Sequence, residues 1–170
     1  MSEQANDPAE ILARYADGPT ALEEAIAGLA EAELDTALDD ESWTIRQIVH
    51  HVVDGDDIWK VCIKTALGNS EAVFDLQWYW AMPQTEWAES WAYAERAIGP
   101  SLVLFAANRR HVGQLVQAIP GAWEREIMVE WPHQEKERVT VGWVIEMQAG
   151  HVTGHVEDIQ KIRRTRLGND

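Results

Sequence analysis

The chain has 170 residues, a length typical of one domain with a single hydrophobic core. Its 14 basic and 29 acidic residues give a net charge of −15, which argues against nucleic acid and anionic membranes as partners. A single cysteine, no signal-like N-terminus and no apolar run of about 18 residues together predict a protein of the reducing cytoplasm.

The first part of the chain is predicted to be helical with one interruption. Residues 1–7 are a polar, flexible start, and a helix is expected over 8–17, with proline in its first turn. Gly18-Pro19 is predicted to break this helix, because proline removes an internal hydrogen bond. A second helical piece then covers 20–29, and 30–40 form an acidic connector.

A helix-start signal marks the second long helix, predicted over 43–67. Thr44 is the expected N-cap, and Gln47 closes a capping box three residues later. Steps of three or four residues then define a mostly apolar stripe of Ile48, His51, Gly55, Ile58 and Cys62. A charged stripe contains Arg46, His50, Asp54 and Asp57. We therefore expect His51 to point into the core, His50 to point outward, and Cys62 to be a buried thiol.

The middle of the chain is rich in aromatic residues. The connector 68–82 is too aromatic for a solvated loop and too irregular for a regular strand, so we expect it to fold over the core or over the mouth of a site. Helical pieces are predicted over 83–98 and 101–119, separated by Gly99-Pro100. Of the nine tryptophans, Trp59, Trp78 and Trp80 are candidates to line a pocket or a subunit interface, and core packing is the expected role of most.

A short hairpin is predicted before the last helix. Strand-like segments 127–131 and 137–141 flank a polar tip, where we expect His133 to be exposed. Thr140 is the predicted cap of the last helix, which ends in the basic residues 163–166 at the negative end of its dipole. Its core-facing stripe contains Val144, Met147, His151, His155, Ile159 and Ile162.

Three histidines are thus predicted to face the core: His51 from the second helix, and His151 and His155 from the last. An i, i+4 pair stacks both rings on one helix face, within reach of one ion. Burying three imidazoles is costly unless each nitrogen finds a partner, and a shared divalent cation satisfies all three. The alternative is that each histidine hydrogen-bonds a buried neighbour. Together, the three inward placements favour a metal site.

Other residues near the candidate ligands allow two interpretations. Asp54 and Asp158 each follow a histidine of the site by three residues, and each either orients a ring or is an ordinary solvated carboxylate. His111 is a rival fourth ligand from the third helix. Because it follows Arg109 and Arg110, we expect it on a polar helix face.

Two segments of the chain, 43–54 (WTIRQIVHHVVD) and 150–159 (GHVTGHVEDI), with the hairpin between them, resemble the DinB/YfiT-like superfamily of metal-dependent enzymes, in particular its YfiT-like branch. The similarity spans about 20–166. It implies an all-α fold, an antiparallel four-helix bundle with a β-hairpin-like insert before the last helix. A single domain would then cover 8–166, followed by a tail at 167–170.

The same resemblance implies that His51, His151 and His155 bind one divalent metal ion, nickel or zinc, with iron as a further choice. It also implies a possible homodimer, a small-molecule substrate and a possible low-molecular-weight thiol as cosubstrate.

Three imidazoles leave coordination positions free, unlike a closed structural site. Such a metal activates either water, giving a hydrolase, or a thiol, giving an S-transferase. The residues do not choose between these reactions. A purely structural metal site and a protein-interaction bundle without metal are the non-catalytic alternatives.

Overall fold

The computed structural model describes residues 7–69 and 71–168, so most of the predicted flexible start and the end of the predicted tail fall outside it. The elements follow in the order α1 (Pro8–Ile26), α2 (Ile45–Gly68), β1 (Val73–Asp75), α3 (Gln77–Trp80), α4 (Gln84–Ser90), α5 (Ile98–Ala118), β2 (Glu126–Glu130), β3 (Glu137–Thr140) and α6 (Val141–Ile162). The fold is mostly helical, as predicted. No helix in the described ranges is long and apolar enough to cross a membrane.

The four long helices form the body of the molecule. Helices α1 and α2 each pack against both α5 and α6. Their buried apolar side chains form two clusters, one near Ile63 and Ile145 beside the sheet and one near Val49 and Ile159 at the other end. Helices α2, α5 and α6 also carry buried polar side chains, including an ion pair between Asp56 and Arg109.

Helix α1 runs without a break through Gly18 and Pro19, so the predicted interruption is wrong. Pro19 has no N–H to donate to the carbonyl of Tyr15, one helical turn earlier. That carbonyl instead accepts a hydrogen bond from Arg109 Nη1 at 2.8 Å. Helix α5 therefore supplies the donor that proline lacks, and the helix continues.

The predicted helix caps are confirmed. Thr44 Oγ1 accepts a hydrogen bond from the backbone N–H of Gln47 at 3.2 Å, and Gln47 Oε1 accepts one from Thr44 N at 2.9 Å. Thr140 Oγ1 accepts from the N–H of Trp143 at 3.0 Å. These caps set the starts of α2 and α6, the two helices that carry the candidate metal ligands.

The connector between α2 and α4 contains a strand that the sequence did not predict. Strand β1 pairs in parallel with β2, and β2 pairs antiparallel with β3, so the small sheet has three strands. The pattern of apolar residues could not reveal strand β1, because a strand of three residues depends on its partner strand. Val73 and Phe74 lie opposite Met128 and Val129 of β2.

Helices α4 and α5 also begin or end at residues other than those predicted. Helix α4 ends at Ser90 rather than near Ile98, and Ala92 has a positive φ of 51° in the irregular segment that follows. Helix α5 begins at Ile98 and includes Gly99-Pro100. A proline in the first turn costs little, because the N–H groups there have no partner within the helix.

Candidate metal centre

His51, His151 and His155 lie together between α2 and α6. Their candidate ligand atoms are all within 4.8 Å of one another, and His51 Nε2 and His151 Nε2 are 3.1 Å apart. Two imidazole nitrogens that bind one ion at about 2.0–2.1 Å lie about 2.9–3.4 Å from each other. The spacing of this pair therefore fits a shared metal ion.

Burial keeps the three rings in the neutral form that binds metal. Burial, followed by the charges of His151 and His155, lowers the pKa of His51 to about 3. Burial, followed by the charges of His155 and Arg109, lowers the pKa of His151 to about 4. Burial also lowers the pKa of His155, against the opposing charge of Asp158. At neutral pH all three rings have a free lone pair, which is the state required of a ligand.

The second ring nitrogens have different surroundings. His155 Nδ1 lies 3.2 Å from Asp158 Oδ2, so an N–H there donates to the carboxylate and leaves the lone pair of the ring on Nε2. His151 Nδ1 is buried and has no hydrogen-bond partner in the described part of the chain. Asp54 does not contact His51; it pairs with Arg96 at 3.3 Å. Of the two candidate orienting carboxylates, the structure places only Asp158 at a ring.

Packing holds the rings in place. The edge of Trp43 meets His51, with ring centroids 4.6 Å apart. Gly55 lies against His151, where an added Cβ atom would be 3.7 Å from Cε1 of that ring. Both contacts come from residues near His51 on or beside α2, so this helix both supplies one ligand and supports another.

A cavity of about 190 Å³ opens onto His51 and His151. The side chains around it are mainly aromatic: Trp59, Tyr79, Trp80, Trp131 and Trp143. Trp59 and Trp80 thus line a pocket, one of the two roles predicted for them. Trp78 does not line it and borders a separate cleft beside Asp54 and Arg96.

A second cavity, of about 280 Å³, borders His155. It is more polar than the first, because Ser42, Asp158 and Lys161 contribute to its wall beside Trp43. The histidine cluster therefore has an aromatic cavity on one side and a cavity with charged groups on the other.

His50 is not the solvent-facing residue that the helix phase predicted. Its side chain is buried, with Nδ1 2.9 Å from Ser101 Oγ and Nε2 3.1 Å from the carbonyl oxygen of Arg96. Segment 91–101 packs on the charged stripe of α2 and covers it, and Arg46 on the same stripe is also buried. Both His50 nitrogens are occupied by these neighbours, so His50 is a structural residue.

The remaining titratable groups singled out in the sequence lie outside the cluster. His111 and His133 are exposed, as predicted. Cys62 is fully buried, and burial raises the pKa of its thiol to about 12, which matches the predicted inert thiol. The basic residues after α6 also cap a neighbouring helix. Arg163 Nη1 donates to the carbonyl oxygens of Ala25 and Ala27 at the end of α1, at 2.7 and 3.1 Å.

Sequence reasoning did not identify Gln148, Trp131 and Trp143 as residues of the site. Gln148 is 2% exposed, lines the aromatic cavity, and precedes His151 by three residues on the same face of α6. That three-residue spacing from His151 is the signal in the sequence that could have placed Gln148 at the site. Trp131 ends the first predicted strand of the hairpin and Trp143 lies in the first turn of α6, and only the three-dimensional fold brings both to this cavity.

Four long packed helices, a small sheet and a partly buried three-histidine cluster define a helical protein with a candidate metal centre. The chain belongs to the DinB superfamily, whose family model matches residues 14–159. The resemblance seen in the sequence is thereby confirmed.

Known proteins similar to this chain carry metal-related names. It is 25% identical over 163 residues to a protein of Geobacillus thermodenitrificans named "Putative metal-dependent hydrolase", a match that covers 96% of this chain and 88% of that one.

Solved structures show the same fold at low sequence identity. YfiT from Bacillus subtilis, titled "a probable metal-dependent hydrolase with an unusual four-helix bundle topology", matches with a TM-score of 0.81 at 21% identity, over 99% of this chain and 92% of that one. A mycothiol-dependent maleylpyruvate isomerase matches with a TM-score of 0.68 at 16% identity, over 97% and 70% of the two chains.

Proposed function

We propose that this protein is a metal-dependent enzyme in which His51, His151 and His155 hold one divalent cation and an activated water attacks a small-molecule substrate. The observation that carries this proposal is the convergence of three neutral imidazoles, with their ligand atoms within 4.8 Å of one another. Nickel, zinc and iron(II) all suit an imidazole donor set. The four-helix bundle of the family, with ligands on facing helices, is the matching architecture.

Hydrolysis is the first reaction that such a site would support. His51, His151 and His155 would hold a divalent cation with coordination positions left free, and the cation would lower the pKa of a water or thiol at those positions toward about 7. The chain's own residues hold the rings neutral, orient His155 through Asp158, and place an aromatic cavity beside His51 and His151. A substrate in that cavity lies next to the histidine cluster, and the aromatic walls of the cavity limit the access of bulk water to the substrate.

Transfer of a low-molecular-weight thiol is the second candidate function. The specific observation in its favour is the separate polar cavity at His155, whose Lys161 and Asp158 suit a hydrophilic, charged cosubstrate. A hydrolase needs one organic substrate, whereas a transferase must hold two, and two cavities border this cluster. The thiol-dependent isomerase with the same fold is consistent with this alternative.

An activity screen across metal-loaded variants tests the proposal. Chelator-treated protein is reloaded with nickel, zinc or iron(II) and assayed on aryl esters and amides for hydrolysis, and on an electrophile with free thiols for conjugation. We expect one class to turn over, with at least about a 100-fold loss in His151→Ala, because ligand removal disables the site. His133→Ala is the matched control, because its histidine is exposed and lies outside the cluster. Turnover that survives in His151→Ala would contradict the proposal.

A further inference from the structure

The aromatic cavity beside the cluster has a distinctive chemical character. It contains four tryptophans and a tyrosine, and its other lining residues include Met147. None of the residues that line it within the described ranges is Asp, Glu, Lys or Arg, although the chain has a net charge of −15. A charged ligand in this cavity would lose its hydration without gaining a counter-ion from the side chains.

The size of the cavity suits about one aromatic ring. Its volume is about 190 Å³. An apolar cavity of about 150 Å³ is large enough to bind benzene. Flat aromatic rings also pack well on indole and phenol faces at edge-to-face or offset distances. Trp59 shows such geometry within the wall, with ring centroids 5.7 Å from Trp131 and 6.2 Å from Trp143.

One side chain in the wall is left without a hydrogen bond. Gln148 is 2% exposed, and its Oε1 atom has no partner in the described part of the chain. The amide nitrogen of the same side chain contacts Met147 Sδ at 3.3 Å, so the oxygen is the free acceptor. A buried acceptor without a donor is costly. Because Gln148 lines the cavity, a rotation of its side-chain amide would present this oxygen to a ligand N–H or O–H.

We infer that this cavity binds an uncharged, single-ring aromatic molecule that carries a hydrogen-bond donor, such as an aryl amide or a phenol. The aromatic walls hold the ring, Gln148 Oε1 accepts from its donor, and the ring's reactive substituent lies toward His51 and His151. The inference deepens the proposed function by naming its substrate class, and it rests on that function for the cavity being a substrate site.

Three monosubstituted benzenes of similar size test the inference: benzamide, which is neutral and has a donor; methyl benzoate, which is neutral and has none; and benzoate, which is charged. Dissociation constants are measured by ligand-observed NMR titration, on the protein as purified and after chelator treatment. We expect methyl benzoate to bind about five-fold more weakly than benzamide, and benzoate at least about ten-fold more weakly. The chelator-treated sample excludes direct binding of benzoate to a metal.

Two variants and a control localise the binding. Trp143→Ala removes part of the wall at a position that is 39% exposed, and it is expected to weaken benzamide binding at least about ten-fold. Gln148→Leu is expected to abolish the preference for benzamide over methyl benzoate. The control is Trp78→Ala, a tryptophan that is 49% exposed and outside this cavity, and it should leave all affinities unchanged.

Several results would overturn the inference: benzoate binding as tightly as benzamide, Gln148→Leu keeping the preference, or Trp78→Ala weakening binding as much as Trp143→Ala. The titration needs neither metal nor turnover. Failure of the proposed metal chemistry would therefore leave these affinities in place, and failure of probe binding would leave the metal content unchanged, so the two can be told apart.

Discussion

Replacing Arg109 with methionine should destabilise the fold strongly. Its guanidinium donates to Asp56 Oδ1 at 2.7 Å, to the Tyr15 carbonyl at 2.8 Å and to the Gln148 carbonyl at 3.1 Å. The side chains of Arg109 and Asp56 are both 0% exposed. Methionine keeps much of the side-chain volume but leaves the Asp56 carboxylate buried without its counter-ion. It also leaves the Tyr15 carbonyl without a hydrogen bond, because Pro19 has no N–H to donate to it. Breaking a buried ion pair in this way costs about 3–5 kcal/mol.

That cost should depend on pH. Burial, the largest effect, raises the pKa of Asp56 from 3.8 to about 6, although Arg109 lowers it. The folded state therefore favours the protonated acid, a stabilisation fully present below about pH 3.8 and lost as pH rises through about 6. Removing Arg109 raises this pKa further. The deficit of Arg109→Met relative to the wild type should therefore grow as the pH is raised from 5 to 8.

The assay is urea denaturation followed by circular dichroism, in chelator, from pH 5 to pH 8. At neutral pH the expected loss corresponds to a melting temperature lower by about 6–20 °C. The Asp56→Asn/Arg109→Met double variant removes the buried charge, so it should recover part of the loss and flatten the pH dependence of the difference. A deficit below about 1 kcal/mol, or one that is equal at all pH values and unchanged in the double variant, would refute the reasoning.

Three further predictions concern stability and reactivity. His50→Ala should cost about 1–3 kcal/mol in the free energy of unfolding, because it removes two buried hydrogen bonds, and yet leave the metal content equal to wild type; a loss of metal would refute its structural role. Gly142→Ala should cost about 1–3 kcal/mol in urea denaturation, because the new Cβ would lie 2.4 Å from Trp123 Nε1, whereas Gly150→Ala in the same helix meets nothing within 4 Å and should not destabilise. Equal costs would contradict the steric argument. Cys62, with a pKa of about 12, should resist iodoacetamide at pH 8 until urea unfolds the chain, as followed by mass spectrometry; rapid modification of the native protein would contradict its burial.

The candidate site could be predicted from the sequence because its signals are local. The caps at Thr44 and Thr140 set where α2 and α6 begin. Counted from these starts, the helical periodicity predicted that His51 and His151 point inward. The family resemblance named the same residues. Where a helix has one buried face, spacing from a well-defined start is enough to place its side chains.

The features that were missed depend on contacts distant in the sequence. His50 is buried because segment 91–101 covers the second face of α2, which no periodicity within α2 reveals. Helix α1 continues through Pro19 because Arg109, far along the chain, satisfies the Tyr15 carbonyl. Strand β1 exists through its pairing with β2. In each case a tertiary partner supplied the hydrogen bond that decided the local structure.

Metal content is the most direct test of the central claim. Untagged protein, purified without added metal, is analysed for nickel, zinc and iron beside the His51→Ala/His155→Ala double variant. A control double variant, His111→Ala/His133→Ala, removes two exposed histidines outside the cluster. The account predicts about one equivalent of metal in the wild type and the control and its loss in the cluster variant, with helical circular dichroism retained in all three. Absence of metal from the wild type, persisting after incubation with excess nickel and zinc, would contradict the three-histidine metal centre.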